Sequence, residues 1–302
     1  MSLLAKISTD RDARLAGIGL MLLGVFMFSL GDALGKFLVS TYAVGQLLAF
    51  RACAALVLLS PLIWRHRGEF ARLQRPRLEL LRVFLSTLEV AAFFLATVYL
   101  PLADVTTYYL ACPIFVTALS GVVLGERIGW RRWTAILIGF VGVLIALRPS
   151  AQMVSLPAMI ALTGSLSFSV LMLITRHLRA TPDVVMATSQ FAGTFLLGVL
   201  MAPFGWVSPS AGSFALFAAA GCISVTALFC VNRSLKLAPA SVVVPYQYSM
   251  IAWAVAFGIT VFDDVPSPAT IAGAAIIIGA GLYIFLRERA LGREETVVSP
   301  PA

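Results

Sequence analysis

G-V-F-M-F-S at residues 24–29 and G-S-L-S-F-S at residues 164–169 are closely similar texts written twice in one chain. The same offset sets Lys36 over Arg176, and a one-residue shift sets Arg51 over Gln190. Further on, L-P-L-A-D-V (100–105) lies over L-K-L-A-P-A (235–240). After a two-residue shift Gly125-Glu126 meets Phe262-Asp263. An internal repeat governs the fold of the chain that contains it, because each copy is one structural unit.

The text inside each copy is apolar. Of 302 residues, 60% are hydrophobic and only 12% charged, and the mean hydropathy is +0.95. A soluble domain is typically about half apolar and about a quarter charged, so a soluble fold is excluded, and disorder with it. A bilayer core of about 30 Å takes roughly 20 apolar residues per helix. The punctuation predicts spans near 15–38, 43–64, 78–100, 104–124, 130–148, 155–178, 183–203, 212–235, 238–261 and 268–287. Helices are preferred over barrel strands, since the runs are continuous rather than alternating and a helix satisfies its own backbone in lipid. The first span follows Lys6, Arg11 and Arg14 but is too long for a signal-peptide core, so it is read as retained.

Charge sets the direction. With the N-terminus inside, most of the 22 Lys and Arg fall in inner segments, and only Lys36 and Arg148 sit at outer ends. The net charge of +8 is thus a topology signal rather than a nucleic-acid patch. Each half holds five spans, an odd number, so the second half enters the membrane from the opposite side. The expected fold is an all-α integral membrane protein of ten transmembrane helices in two inverted five-helix repeats, with both termini cytoplasmic. The expected division is 1–14 as an N-terminal tail, 15–149 as the first repeat, 150–287 as the second and 288–302 as a C-terminal tail. Inverted repeats characterise secondary transporters, whose site lies near the midplane between the halves.

The stretches L-A-D-V-T-T-Y-Y-L-A-C-P-I-F-V-T-A-L (102–119), G-E-R-I-G-W (125–130) and I-L-I-G-F-V-G-V-L-I (136–145) carry a resemblance. So do L-A-P-A-S-V-V-V-P-Y (237–246) and G-A-A-I-I-I-G-A-G-L-Y (273–283). The chain resembles the EamA-type families of the drug/metabolite transporter superfamily over nearly its whole length. The second half departs from the Gly-Glu pattern with Phe262-Asp263-Asp264, and these acids are read as turn and capping positions. The resemblance implies a single-chain carrier of small metabolites in the bacterial inner membrane. Residues 31–51 are similar to riboflavin importers of that superfamily, which makes riboflavin uptake the first substrate expectation. Amino-acid export and S-adenosylmethionine uptake are the alternatives.

Ionisable residues within spans are costly and are functional candidates. Arg51 lies roughly 12 Å into span two and Asp32 roughly 9 Å into span one. They are read either as a gating or anion-facing pair or as a permanent ion pair, and Asp32 also reaches Lys36 at i,i+4 spacing. Glu89, about 16 Å from either face, is a proton-coupling or substrate-binding acid, or a neutral acid bonded between helices. Gln190, the repeat mate of Arg51, is read as a hydrogen-bonder of substrate or as glue between helices. Pro113 and Pro245 predict kinks at corresponding places in the halves. Tyr246, Gln247 and Tyr248 are expected to line the route, while an interfacial belt suits Tyr108 and Tyr109.

Other functions find little support. The chain lacks a P-loop, so ATP is not an expected partner, and it lacks H-E-x-x-H, G-x-S-x-G and clustered His, so an enzyme is not expected. Its four cysteines form no C-x-x-C, and no metal or cofactor is expected. No filter-like loop or ring of like charges suggests a channel. The expected partners are a small-molecule substrate and the lipid bilayer, and a monomer suffices because the repeat already supplies two halves.

Overall fold

The computed structural model of the chain describes residues 3–70, 73, 75–112, 114–116, 119, 130–147, 155–178, 180–237 and 243–297. The fold is all-helical, with no strand among these residues. The first half contributes α1 (Leu3–Val39), α2 (Val44–Arg65), α3 (Pro76–Tyr99), α4 (Leu102–Tyr109) and α5 (Trp130–Leu147). The second contributes α6 (Leu156–His177), α7 (Asp183–Met201), α8 (Ala211–Leu237), α9 (Ser249–Phe262) and α10 (Pro268–Val297). A 3-10 turn, Val244–Tyr248, leads into α9.

Six segments are long and apolar enough to cross a bilayer: Leu15–Val39, Val44–Arg65, Pro76–Tyr99, Leu156–Thr175, Asp183–Met201 and Ala211–Ser234. Shorter apolar helices follow at Tyr246–Phe262 and Pro268–Ala280. Large apolar side chains point outward along them, among them Leu58, Phe84, Leu137 and Leu196. In water such a surface would aggregate; against acyl chains it is solvated.

The turns follow from local chemistry. Pro76 opens α3, where a missing N–H costs nothing. Ser267 caps α10 by accepting the Thr270 N–H at 3.1 Å. At the end of α9, Asp263 adopts a left-handed conformation (φ 54°), which lets the Asp264 N–H bond the Gly258 carbonyl at 3.0 Å. Two helices outrun their predicted spans: α1 starts at Leu3 and α10 continues to Val297. No proline interrupts either stretch, so nothing stops the helix where the apolar run ends.

α1 packs on α8 and α9, α2 on α7 and α8, α3 on α6 and α7, α4 on α6 and α9, and α5 on α10. Several crossings fix direction. On α1 and α8, Ser234 Oγ donates to the Gly17 carbonyl at 2.6 Å. Further along, Gly24 faces Val231 and Gly31 faces Ile223. On α2 and α7, Gly45 faces Met201 and Gly198 faces Ala49. On α3 and α6, Arg82 reaches Thr175 and Ala92 faces Gly164. On α5 and α10, Gly139 faces Ala280 and Gly142 faces Gly273. Numbers rise on one helix as they fall on the other, so all four pairs are antiparallel.

Small residues permit these contacts, since lipid removes any hydrophobic drive between helices and leaves close packing to hold them. A Cβ at position 45 would stand 2.6 Å from Met201, and one at 142 would stand 3.0 Å from the Gly273 carbonyl oxygen. The crossing at 45 therefore requires glycine, and the one at 142 is tight enough to favour it. The largest core cluster joins α1, α2, α3, α4, α6, α8 and α9 through Leu38, Leu48, Phe94, Tyr109, Ala161, Phe217 and Ala254.

Candidate functional site

Arg51 sits on α2 and is only 7% exposed. Its Nε donates to Ser224 Oγ on α8 at 2.6 Å, and its guanidinium lies over the Phe94 ring, 5.0 Å from the centroid. One terminal nitrogen, Nη1, is buried with no partner. Asp32 on α1 and Glu89 on α3 both lie within electrostatic range of Arg51. Among the described residues no hydrogen bond or ion pair is formed by either carboxylate, and the expected Asp32–Arg51 ion pair is not formed. The three ionisable groups thus share one region without direct contact among the described residues.

The region has aromatic walls. Phe94 occupies the space left by Gly35 and meets Phe93 edge-on at 5.3 Å, which in turn meets Tyr109 edge-on at 5.1 Å. The Tyr109 hydroxyl donates to the Glu89 backbone carbonyl at 3.0 Å, in space left by Gly164. Tyr108 and Tyr109 are both buried. The interfacial-belt expectation for them is therefore corrected: α4 is enclosed by α6 and α9, so its tyrosines face protein rather than headgroups.

Lys36 also departs from expectation. It does not serve Asp32 one turn away. Its Nζ pairs instead with the Asp264 carboxylate and lies 4.7 Å from the Phe262 ring centroid. The α9–α10 turn brings a carboxylate closer to Lys36 than its own helix does. Nearby, Thr270 Oγ1 donates to Asp104 at 2.6 Å, and the fully buried Gln46 clasps Val207 through both backbone groups, at 2.7 and 3.0 Å.

Gln190 is placed elsewhere. Its Oε1 accepts from Arg82 on α3 at 3.3 Å. Arg82 also donates to the Met186 carbonyl at 3.0 Å and to Thr175 Oγ1 at 3.2 Å. Beside it Thr181 Oγ1 donates to Glu79 at 2.6 Å. Arg82 is thus satisfied by three partners on α6 and α7, whereas Arg51 keeps an open nitrogen. That difference separates a fixed tie from a group still able to take a partner.

The three residues ahead of α9 are dispersed. Tyr248 is buried with Leu110, Ile114, Val143 and Ile277, and its hydroxyl has no partner. Gln247 is half-buried. Tyr246 is 37% exposed. Pro245 falls in the 3-10 turn, so the backbone changes helix type there. Pro113 lies outside the described residues. Among the described residues no cluster of His, Cys, Asp or Glu is arranged to hold a metal.

Ser224, Phe94 and Arg82 were not singled out as site residues. For Ser224 a signal exists: the register that sets 100–105 over 235–240 sets Glu89 over Ser224 when carried back without a gap. Two repeat mates thus meet around Arg51.

Residues 15–148 match the EamA-like transporter family. Over 91% of its length the chain is 24% identical to an S-adenosylmethionine uptake transporter of Rickettsia felis, covering 94% of that protein. It is 27% identical to a riboflavin transporter of Rhizobium johnstonii over 72% of each chain. It is 26% identical to a pseudopaline exporter of Pseudomonas aeruginosa over 89% of this chain and 95% of that one. One solved crystal structure shares the fold, with a TM-score of 0.65 at 17% identity over 93% of this chain and 99% of the other. Family and relatives alike are transporters rather than enzymes. Residues 15–148 are therefore an EamA-like transporter domain, of the drug/metabolite transporter superfamily, in a multi-pass membrane protein.

Proposed function

We propose that the chain is a secondary transporter that moves a small metabolite across the bacterial inner membrane by alternating access. In this reading ten spans form two inverted halves, 15–149 and 150–287, and both termini are cytoplasmic. The antiparallel packing of α2 on α7 and of α5 on α10 supports the inversion, because each is a helix against its own repeat mate. Exchanging the halves also turns the α1–α8 contact into α6–α3, and α1–α9 into α6–α4.

The observation that carries the function is Arg51. A guanidinium held between α2 of one half and α8 of the other, with a nitrogen left open, is costly in a membrane. Rocking of the halves would expose it to each side in turn. Asp32 and Glu89 belong to the same route in this reading, with Gln247, Tyr246 and Tyr248 as further lining and Pro113 and Pro245 as points of bending, while Gln190 stands apart from it on Arg82.

Two substrate readings stand. Riboflavin uptake rests on residues 31–51 and on the riboflavin transporters among the relatives. S-adenosylmethionine uptake rests on relatives matched over nearly the full chain. Counterflow in proteoliposomes, with each compound loaded on one side, tests both. Saturable flux driven by unlabelled compound on the far side is expected for one of them. Flux linear in concentration and without counterflow would replace the carrier with a pore.

A further inference from the structure

Building on the transporter reading, we infer that Phe94 is a positioning residue that couples Arg51 to the closure of Lys36 on Asp264. Phe94 lies on α3 and is 1% exposed. One face of its ring carries the Arg51 guanidinium, 5.0 Å from the centroid. The ring edge at Cε1 and Cζ lies against Gly35 on α1, where a Cβ would overlap it. Phe93 meets the ring edge-on at 5.3 Å and is itself braced by Tyr109 at 5.1 Å. The residue after Gly35 is Lys36, whose Nζ pairs with Asp264 on the α9–α10 turn.

One glycine, one ring and one cation thus stand in series between the closing contact and the site. A phenyl side chain has two torsions and a rigid end, so it passes a displacement on rather than absorbing it. Arg51 is held by one contact from each half. Ser224 Oγ on α8 takes Nε at 2.6 Å, and Phe94 on α3 supports the plane. The guanidinium is always charged, and a ring face attracts a cation most strongly where water is excluded. While Lys36 holds Asp264, α1 confines the ring at Gly35 and keeps its face under the guanidinium. When Lys36 leaves Asp264 and this end of α1 moves away, the ring gains the space beside Gly35 and Arg51 loses its flat support. The direction of the unpartnered Nη1 then depends on whether that end is closed.

The test uses the full chain in proteoliposomes, with labelled S-adenosylmethionine and riboflavin as the two probes. Spin labels at Ser40 and Val265, both exposed, report closure. Replacing Phe94 with mono-, di- and trifluorinated phenylalanine drains charge from the ring face while nearly keeping its shape. The KM of the probe that shows counterflow should rise stepwise, to about tenfold at the trifluorinated ring, with abundance and thermal stability unchanged. A ring that only packs gives a flat series. Lys36→Asp should raise the KM by about tenfold beside the native ring and by less than about twofold in Phe94→Leu, where the link is already cut. Gly35→Ala, which drives the ring from its place, should raise the KM and lengthen the Ser40–Val265 distance. Adding Phe94→Leu to it should restore the distance but not the KM. A flat fluorination series, or an equal effect of Lys36→Asp with and without the ring, would overturn the coupling and leave the carrier standing. Counterflow of neither probe would count against the carrier, and the distances then decide alone. Coupling is reciprocal, so Arg51→Gln should shift them beside the native ring and not in Phe94→Leu. An equal shift in both, or a shift in neither, would overturn the proposal.

Discussion

The Lys36–Asp264 ion pair ties α1 of the first half to the α9–α10 turn of the second. In an alternating-access carrier such a tie favours closure at that end, so reversing one charge should open it. The side chains are 14% and 29% exposed, which places the pair among partly solvated ion pairs worth at most about 1 kcal/mol. Reversal replaces attraction with repulsion of similar size, a swing of about 2 kcal/mol. That is roughly a thirtyfold shift in the ratio of closed to open. Spin labels at Ser40 and at Val265, both exposed, would report the separation of α1 and the turn. Lys36→Asp alone and Asp264→Lys alone should each move the distance distribution to longer values. The double exchange should restore it, and high salt should weaken all three effects. Unchanged distributions in both single variants, or a double variant no closer to wild type than either single, would show that the ion pair does not hold that end shut.

Three further outcomes follow from the same geometry. Ser224→Ala should remove the bond to Arg51 Nε and raise the KM for the transported compound by about tenfold or more, with little change in abundance; an unchanged KM would remove Ser224 from the site. Arg82→Gln should cost about 2 kcal/mol of folding stability, since one buried acceptor, the Met186 carbonyl, and two half-buried ones lose their donor. Its thermal unfolding should fall while the KM of the surviving protein stays near wild type, and the reverse pattern would make Arg82 a substrate-binding group. Tyr248→Phe should stabilise the protein by about 1 kcal/mol or more, because it removes a buried hydroxyl without a partner. A raised KM instead would mean that the hydroxyl meets the substrate.

The spans were legible because each helix must cross about 30 Å of hydrocarbon by itself and satisfy its own backbone on the way. Length and apolarity are then local properties, and the observed Val44–Arg65 and Asp183–Met201 lie within two residues of the ranges read from sequence. Intramembrane charge was legible for the same reason: Asp32, Arg51 and Glu89 all lie within the long apolar helices. Partners were a different matter. Apolar residues cover both the packed and the lipid-facing sides of these helices, so apolarity does not say which side meets protein. Tyr109 looked interfacial and is buried, while Tyr246 looked inward and is 37% exposed. Lys36 and Asp32 are neighbours along one helix, yet Lys36 binds Asp264 from the far end of the chain. Gln190 and Arg51 correspond in the repeat, yet one accepts from a fully bonded arginine and the other is itself an arginine with an open nitrogen. Sequence determined how many times an apolar helix is written, in what order, and which charges lie within it. Only the tertiary structure decided which charges are neutralised and which stay open, because that depends on the crossing of helices at a few glycines and serines whose contacts lie far apart in the chain.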